Sequence, residues 1–378
     1  MPPTTKHQIQ SLDPSPSSGT LGLSSDYPWT SAPLIVSAPM RVMSGPSLAV
    51  SVSSAGGIGF IGPGLSPEST AIDLEEATRL ITSSSSSSSS SDSSSSPILP
   101  VGVGFQLWNG DLSAATEAVA RYRPAAVWLF APRDGSRDQV DEWVRALRSA
   151  GGGDTKIWLQ VGTLREVREA VQRARPGVDV LVVQGSEAGG HGRTEDGTPL
   201  SVLVPEVLDL LAANDVKKIP VFAAGGISDG RGVSAALCLG AAGAVMGTRF
   251  LCSSEARIKK GYRDAVLEAR DGGVSTVKTH LYNHLRGTYG WPAQWTPRTV
   301  VNRSWVEHKE GVEFDELKRR HEESLKAGDG AWGREEGRTA TYAGMGVGLV
   351  NEVKGAREIV EEAREEATAI LKGLAGRF

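Results

Sequence analysis

IPVFAAGGISDGRGVSAALCLGAAGAVMGTRF, residues 219–250, decides the architecture. Ile219–Ala223 is an apolar run of strand length, and Gly225-Gly226 follows it directly. Arg231–Leu239 then places its apolar residues at three- and four-residue spacing, the period of a helix. Ala244–Met246 is a second short apolar run that again stops on glycine, at Gly247. Strand, glycine turn, helix and strand make one βα repeat, and the repeat recurs upstream. Leu34–Ser37, Ile58–Ile61, Leu99–Val103, Ala126–Phe130, Lys156–Gln160 and Val180–Gln184 are further apolar runs, bringing the total to eight. Between them Ala114–Arg121, Gln139–Arg148, Leu164–Arg173 and Val204–Leu211 carry the helical period. Eight βα units over about 220 residues predict a (β/α)8 TIM barrel, because a six-stranded doubly wound sheet would leave two units over. Catalytic groups are then expected on the loops that follow the strands.

The rest of the chain frames this barrel, which is assigned to residues 31–255. Residues 1–30, rich in Ser, Pro and Thr, read as a mobile leader, and Ser83–Ser96, serine except for Asp92, reads as a flexible loop inside the barrel. Residues 256–339 read as a helical subdomain inserted after the eighth strand. It includes an aromatic, proline-marked stretch (His280–Trp305) and a charged helical run (Phe314–Lys326). In residues 340–378, a loop precedes a helix whose Leu349, Val353, Ala356, Val360, Ala363, Ala367, Ile370 and Leu374 define one apolar face, expected to pack on the barrel.

Composition excludes several classes of function. Forty Lys and Arg against 44 Asp and Glu give a net charge of −4, which argues against nucleic acid as a partner. No run approaches the roughly 18 consecutive apolar residues of a membrane span, and the first 20 residues have no apolar signal core. Cys238 and Cys252 are too few for a disulfide framework or a zinc site, which fits a reducing compartment and a cytoplasmic protein without a metal.

Gly57-Ile58-Gly59-Phe60-Ile61-Gly62 spells the dinucleotide pattern G-x-G-x-x-G, but a helical stretch (Ser47–Ser53) precedes it and Pro63-Gly64 follows it. A dinucleotide site needs a strand before and a helix after, so these glycines read as turns around the second strand. The glycines after strands seven and eight carry more weight. Gly225-Gly226 and Gly247-Thr248 lie on the two loops where barrels commonly hold a phosphate, and glycine lets backbone N–H groups approach an anion. Ser228 or Asp229 could cap the following helix, and the Thr248 hydroxyl adds a donor.

The sixth strand runs into Gln184-Gly185-Ser186-Glu187-Ala188-Gly189-Gly190-His191-Gly192, which sets a histidine in a glycine-rich loop at the rim. Its side chain suits proton transfer or anion binding near neutral pH. The other histidines, His7, His280, His284, His308 and His321, read mostly as solvated, with His280 and His284 as possible rim groups. Gln160 and Gln184, at strand ends, can offer a donor and an acceptor to a heterocycle edge, and Ala38-Pro39-Met40 can supply an apolar floor. Tyr342–Gly348 is a further glycine-dense loop able to return to the rim.

Taken together, the motifs APM (Ala38–Met40), Ala55–Gly59, GSEAGGHGR (Gly185–Arg193), AAGGISDGRG (Ala223–Gly232) and LGAAGAVMGTRFL (Leu239–Leu251) resemble the nitronate monooxygenases, formerly called 2-nitropropane dioxygenases. The resemblance implies an FMN-dependent barrel flavoprotein with His191 as catalytic histidine. It places the FMN phosphate on Gly225-Gly226 and Gly247-Thr248, and the flavin ring near Ala38, Pro39, Met40, Gln160, Gln184, Gly189 and Gly190, with Gly185 and Met246 completing the cofactor site. The implied activity is oxidation of an alkyl nitronate, or of a nitroalkane after deprotonation, to a carbonyl compound and nitrite, with O2 reoxidising the flavin. Partners would then be small molecules, and the protein a monomer or homodimer. The same motifs are similar to those of FMN-dependent enoyl-thioester reductases using NAD(P)H, the alternative enzyme reading. A non-catalytic flavin-binding barrel is a third.

Overall fold

The computed structural model describes residues 23–84, 98–133, 137–172, 177–216 and 219–377. Strands β1 (Ile35–Ser37), β2 (Ile58–Ile61), β3 (Leu99–Gln106), β4 (Pro124–Phe130), β5 (Lys156–Val161) and β6 (Val180–Gln184) run parallel and in sequence order. Segment β7 (Gly190–Arg193) then leaves the barrel, and β8 (Val221–Ala224) and β9 (Gly243–Met246) complete it. β9 pairs back onto β1, so the eight barrel strands close, as the eight apolar runs predict. Helices α1 (Pro46–Ser54), α2 (Ser69–Ser84), α3 (Leu112–Tyr122), α4 (Arg137–Ala150), α5 (Leu164–Ala170), α6 (Leu200–Ala213), α7 (Gly230–Cys238) and α8 (Thr248–Leu251) connect or follow the strands. No helix opens at Gly62, so the G-x-G-x-x-G segment builds a barrel strand and no dinucleotide turn.

The strand period of two sorts residues between two cores. On β5, Trp158 faces the barrel interior while Ile157 and Leu159 face the helices; on β4, Trp128 faces in while Val127 and Leu129 face out. Inside, Phe60 meets Trp128 and Trp158 edge-on, with ring centroids 5.1 Å apart in each pair, and Phe222 lies 4.6 Å from Trp158. These aromatics fill the interior, so the barrel is packed and the site can only lie at its rim.

Two of the boundaries read from the sequence need correction. The mobile leader was placed at residues 1–30, and residues 1–22 lie outside the described residues. Residues 23–30, however, cap the barrel. Leu23 and Tyr27 are buried, the Tyr27 hydroxyl accepts a 2.7 Å hydrogen bond from Trp158 Nε1, and Trp29 Nε1 donates to the Gly57 carbonyl. The apolar floor of the barrel needs this cover, and sequence composition does not reveal it. The serine tract lies outside the described residues from position 85 to its end.

The second correction concerns 256–339. It contains helices α9 (Lys260–Glu268), α10 (Gly272–Ser275), α11 (Leu281–Leu285), α12 (Arg303–Lys309) and α13 (Phe314–Ser324), but also strands β10 (Thr276–Lys278) and β11 (Trp295–Val300). β11 pairs antiparallel with both β10 and β7, and Pro297 lies opposite His191. This small sheet, with its proline in the central strand, ties the segment to the loop that carries the histidine.

The closing helix α14 (Ala356–Ala375) lies against the barrel. Ala356, Ile359, Val360, Ala363 and Ala367 are buried, Glu366 accepts from Gly230 N at the start of α7 (2.7 Å), and Arg364 donates to the carbonyls of Ala55 and Gly56. Leu349 and Val353 precede the helix and are exposed, as is Leu374, so the apolar face is shorter than its sequence period.

Candidate active site

The C-terminal ends of the barrel strands open on one cavity. Ala38, Pro39 and Met40 line it after β1, Gln160 on β5, Gln184 at the end of β6, Gly189, Gly190 and His191 at the start of β7, Gly225 and Gly226 after β8, and Gly247 and Thr248 after β9. The fold thus brings together twelve of the fourteen residues singled out from sequence. The other two shape the wall without facing the cavity. Gly185 is buried, with its N–H donating to Ala224 O, and Met246 sits in the outer core while its carbonyl accepts from Ala38 N.

The two glycine loops form one end of the cavity. Gly225 (φ 128°) and Gly226 (φ 69°) adopt backbone conformations that favour glycine, turning the chain sharply between β8 and α7. Asp229, not Ser228, caps α7: its carboxylate accepts from Gly232 N, and Ser228 lines the cavity instead. The Thr248 oxygen accepts from Gly344 N at 2.9 Å, which leaves its hydroxyl proton available to an anion. The loop containing Tyr342–Gly348 does return to the rim, with Tyr342 and Gly346 lining the cavity.

The residues fit a flavin. At the cavity wall, Trp128 Nε1 donates to Gln160 Oε1 (3.1 Å), so the Gln160 amide keeps its N–H groups for a ligand. Gln106, at the end of β3, donates its own amide to Asn109 Oδ1 (2.6 Å) and keeps its oxygen as an acceptor. A heterocycle edge carrying both carbonyls and an N–H matches such a set. A Cβ built on Gly190 would meet nothing within 4 Å, so a flat ring has room against the backbone there. No group of His, Cys, Asp and Glu able to hold a metal occurs among the described residues.

At the other end stands His191. Its imidazole stacks on the Trp291 indole, with centroids 3.5 Å apart and planes 7° from parallel. Its Nε2 lies 3.0 Å from Asn283 Nδ2; Asn283 Oδ1 accepts from the Tyr342 hydroxyl at 3.1 Å, and that hydroxyl accepts from Arg286 Nη1 at 2.8 Å. Burial holds the His191 pKa well below 6.5, and the neighbouring His280, Arg286 and Arg41 push it the same way. The ring is therefore neutral at physiological pH. Arg41 and Arg286 both line the cavity, and neither has a carboxylate partner among the described residues.

His280 and His284 do not line the cavity. His280 Nε2 contacts Thr296 Oγ1 at 3.1 Å and stacks on His284, one layer behind the rim. The reading of the remaining histidines as solvated fails for His321, which is 2% exposed with Nδ1 against the Arg338 carbonyl. His308 is exposed and His7 lies outside the described residues. Sequence reasoning missed Arg41, Gln106, Asn283, Arg286 and Trp291. Gln106 ends a strand as Gln160 and Gln184 do, and that signal could have found it. Arg41 directly follows Met40 on the loop after β1, so its position at the rim could also have found it, whereas Asn283, Arg286 and Trp291 reach the site through a long-range pairing with no local mark.

A closed βα barrel whose rim cavity has a glycine-lined end and, at the other, a half-buried histidine has the layout of an enzyme that holds a small molecule at the strand ends. Comparison with known proteins gives the family. Residues 121–366 match the nitronate monooxygenase family. The chain is 57% identical to the nitronate monooxygenase npaC of Metarhizium robertsii, over 92% of this chain and 95% of that one. It is 35% identical to the nitronate monooxygenase of Neurospora crassa, over 93% of each. Among solved structures, FabK from Thermotoga maritima superposes with a TM-score of 0.68 over 94% of this chain and 99% of that one, at 24% identity, which shows the shared fold. The chain belongs to the nitronate monooxygenase family, and it is an enzyme, a flavin-dependent oxidoreductase. No helix among the described residues is long and apolar enough to cross a membrane.

Proposed function

We propose that the protein binds FMN and oxidises alkyl nitronates with O2, giving a carbonyl compound and nitrite. FMN is favoured over FAD because the anion cradle, Gly225-Gly226 with Gly247-Thr248, is a single compact site. No dinucleotide turn accompanies it among the described residues. Bound there, the flavin supplies the two-electron chemistry and its reoxidation by O2. The protein's own residues bind, orient and shield. Arg41 and Arg286 draw an anion into the cavity, and Trp291 covers the His191 ring from water. His191 then holds the nitro oxygens by hydrogen bonding.

The observation that carries this reading is the pair of cavity-lining guanidiniums, without carboxylate partners among the described residues, beside a neutral half-buried imidazole. A nitronate is an anion and needs that charge; a neutral nitroalkane does not. Oxygen uptake and nitrite release with ethylnitronate, together with chromatography of acid-released flavin, test it. FAD in place of FMN, or no nitrite, overturns the assignment. Rapid anaerobic bleaching of the flavin by NAD(P)H would transfer it to the enoyl-thioester reductases.

A further inference from the structure

Arg286, Tyr342, Asn283 and His191 form a hydrogen-bond chain whose polarity is set at its far end. A guanidinium only donates, so the 2.8 Å contact from Arg286 Nη1 makes the Tyr342 hydroxyl oxygen an acceptor. The tyrosine keeps one proton to give, and its acceptor among the described residues is Asn283 Oδ1, at 3.1 Å. With Oδ1 engaged, the amide turns its Nδ2 hydrogens toward His191 Nε2, 3.0 Å away. An N–H cannot face a ring N–H, so Nε2 carries the lone pair and the ring proton sits on Nδ1.

We propose that Asn283 is a positioning residue that locks His191 in the Nδ1–H tautomer, so that the ring offers substrate a hydrogen-bond donor and no base. The site is thereby built for nitronates, which arrive deprotonated, over neutral nitroalkanes. The proposal rests on the nitronate reading and supplies its selectivity.

The surroundings agree. Asn283 is 1% exposed, and the main chain of Tyr342 is held by the Tyr262 hydroxyl, which donates to its carbonyl at 2.9 Å. Neither partner can turn away without leaving a buried polar group unmet. Among the described residues, the charged and titratable groups acting on the ring are His280, Arg286 and Arg41, with Tyr342 behind Asn283, and no carboxylate is among them. A histidine meant to abstract a proton gains basicity from a carboxylate that accepts its other N–H. Here the equivalent place is taken by an amide that donates, which suppresses basicity at Nε2 and keeps it occupied.

The tautomer can be read directly. In the FMN-loaded protein grown with 15N-histidine, the His191 ring nitrogens are assigned by their loss in His191→Asn, and their shifts at about pH 7 distinguish bare from protonated nitrogen. Nδ1 should be protonated and Nε2 bare; a protonated Nε2, or an even mixture, overturns the proposal whether or not any variant folds. Asn283→Asp should reverse the lock, because a carboxylate accepts from Nε2–H. It should raise the His191 pKa by at least about one unit and raise the ratio of nitroethane to ethylnitronate turnover roughly tenfold or more. A folded, FMN-bound Asn283→Asp with unchanged pKa and ratio also overturns it. Failure of the wild type to oxidise ethylnitronate would sink the functional reading while leaving the tautomer measurement to stand or fall by itself.

Discussion

The imidazole of His191 and the indole of Trp291 lie face to face at 3.5 Å, which makes one side chain of a loop the cover for the histidine. Burial is the largest cause of the lowered His191 pKa, and Trp291 supplies part of that burial. Removing the indole lets water reach the ring and lowers the penalty on the imidazolium, so the pKa rises toward 6.5. Trp291→Ala should therefore titrate His191 at a higher pH than the wild type, as followed by the ring C–H signal in NMR. An unchanged titration would mean that the barrel wall, and not the indole, keeps the ring dry.

Arg41 and Arg286 face the cavity without carboxylate partners among the described residues, and burial together with their mutual repulsion lowers the Arg41 pKa. That repulsion is relieved when an anion enters. Arg41→Met keeps most of the apolar stem and loses the charge, so the KM for ethylnitronate should rise by about five- to thirtyfold, equivalent to roughly 1–2 kcal/mol, with kcat changed little. The effect should shrink as salt is added, since part of the charge is in reach of solvent. A fall in kcat at constant KM would place Arg41 in the chemical step instead.

The strand ends and the glycine loops were legible because each is a local pattern. An apolar run that stops on Gln160, Gln184, Gly225 or Gly247 places that residue at the rim once the barrel is assigned. What escaped is set by distant contact. β7 is spelled Gly-His-Gly-Arg, with no apolar alternation to mark a strand, and its partner β11 lies about 100 residues later with a proline opposite His191. Asn283, Arg286 and Trp291 all reach His191 across that pairing, so no window of sequence contains both halves of the site. Tyr27 escaped for the same reason: its value lies in Trp158, 131 residues away.

Gly102 on β3 sits where the barrel interior has no room for a side chain. A Cβ there would come within 2.3 Å of the Phe60 ring, which is itself wedged against Trp128 and Trp158. Gly102→Ala should destabilise the protein by about 1–3 kcal/mol through overpacking, read as a lower midpoint in denaturant with the slope unchanged. Because Gly102 lies within the barrel and does not line the cavity, flavin content below the transition should be kept. A variant as stable as the wild type would show that Phe60 can move aside.

The roles open to His191 separate by the charge of the substrate. A neutral nitroalkane must lose its carbon-bound proton before oxidation, and a base at that step is typically worth about 10²–10⁴-fold. A nitronate has already lost that proton and needs only donors at its oxygens. Asparagine in place of His191 keeps an N–H donor but takes up no proton at physiological pH. His191 also lies outside the glycine loops proposed to hold the flavin phosphate, so the flavin should stay bound. With Nε2 held by the Asn283 amide, His191 is a donor and no base, so His191→Asn should keep measurable turnover of ethylnitronate and change the small turnover of nitroethane little. Near-complete loss of nitroethane turnover in the variant would return His191 to the base role and contradict the donor tautomer. Loss of FMN from the variant would make the histidine a support for the cofactor site instead, with the stacked Trp291 as its partner in that task.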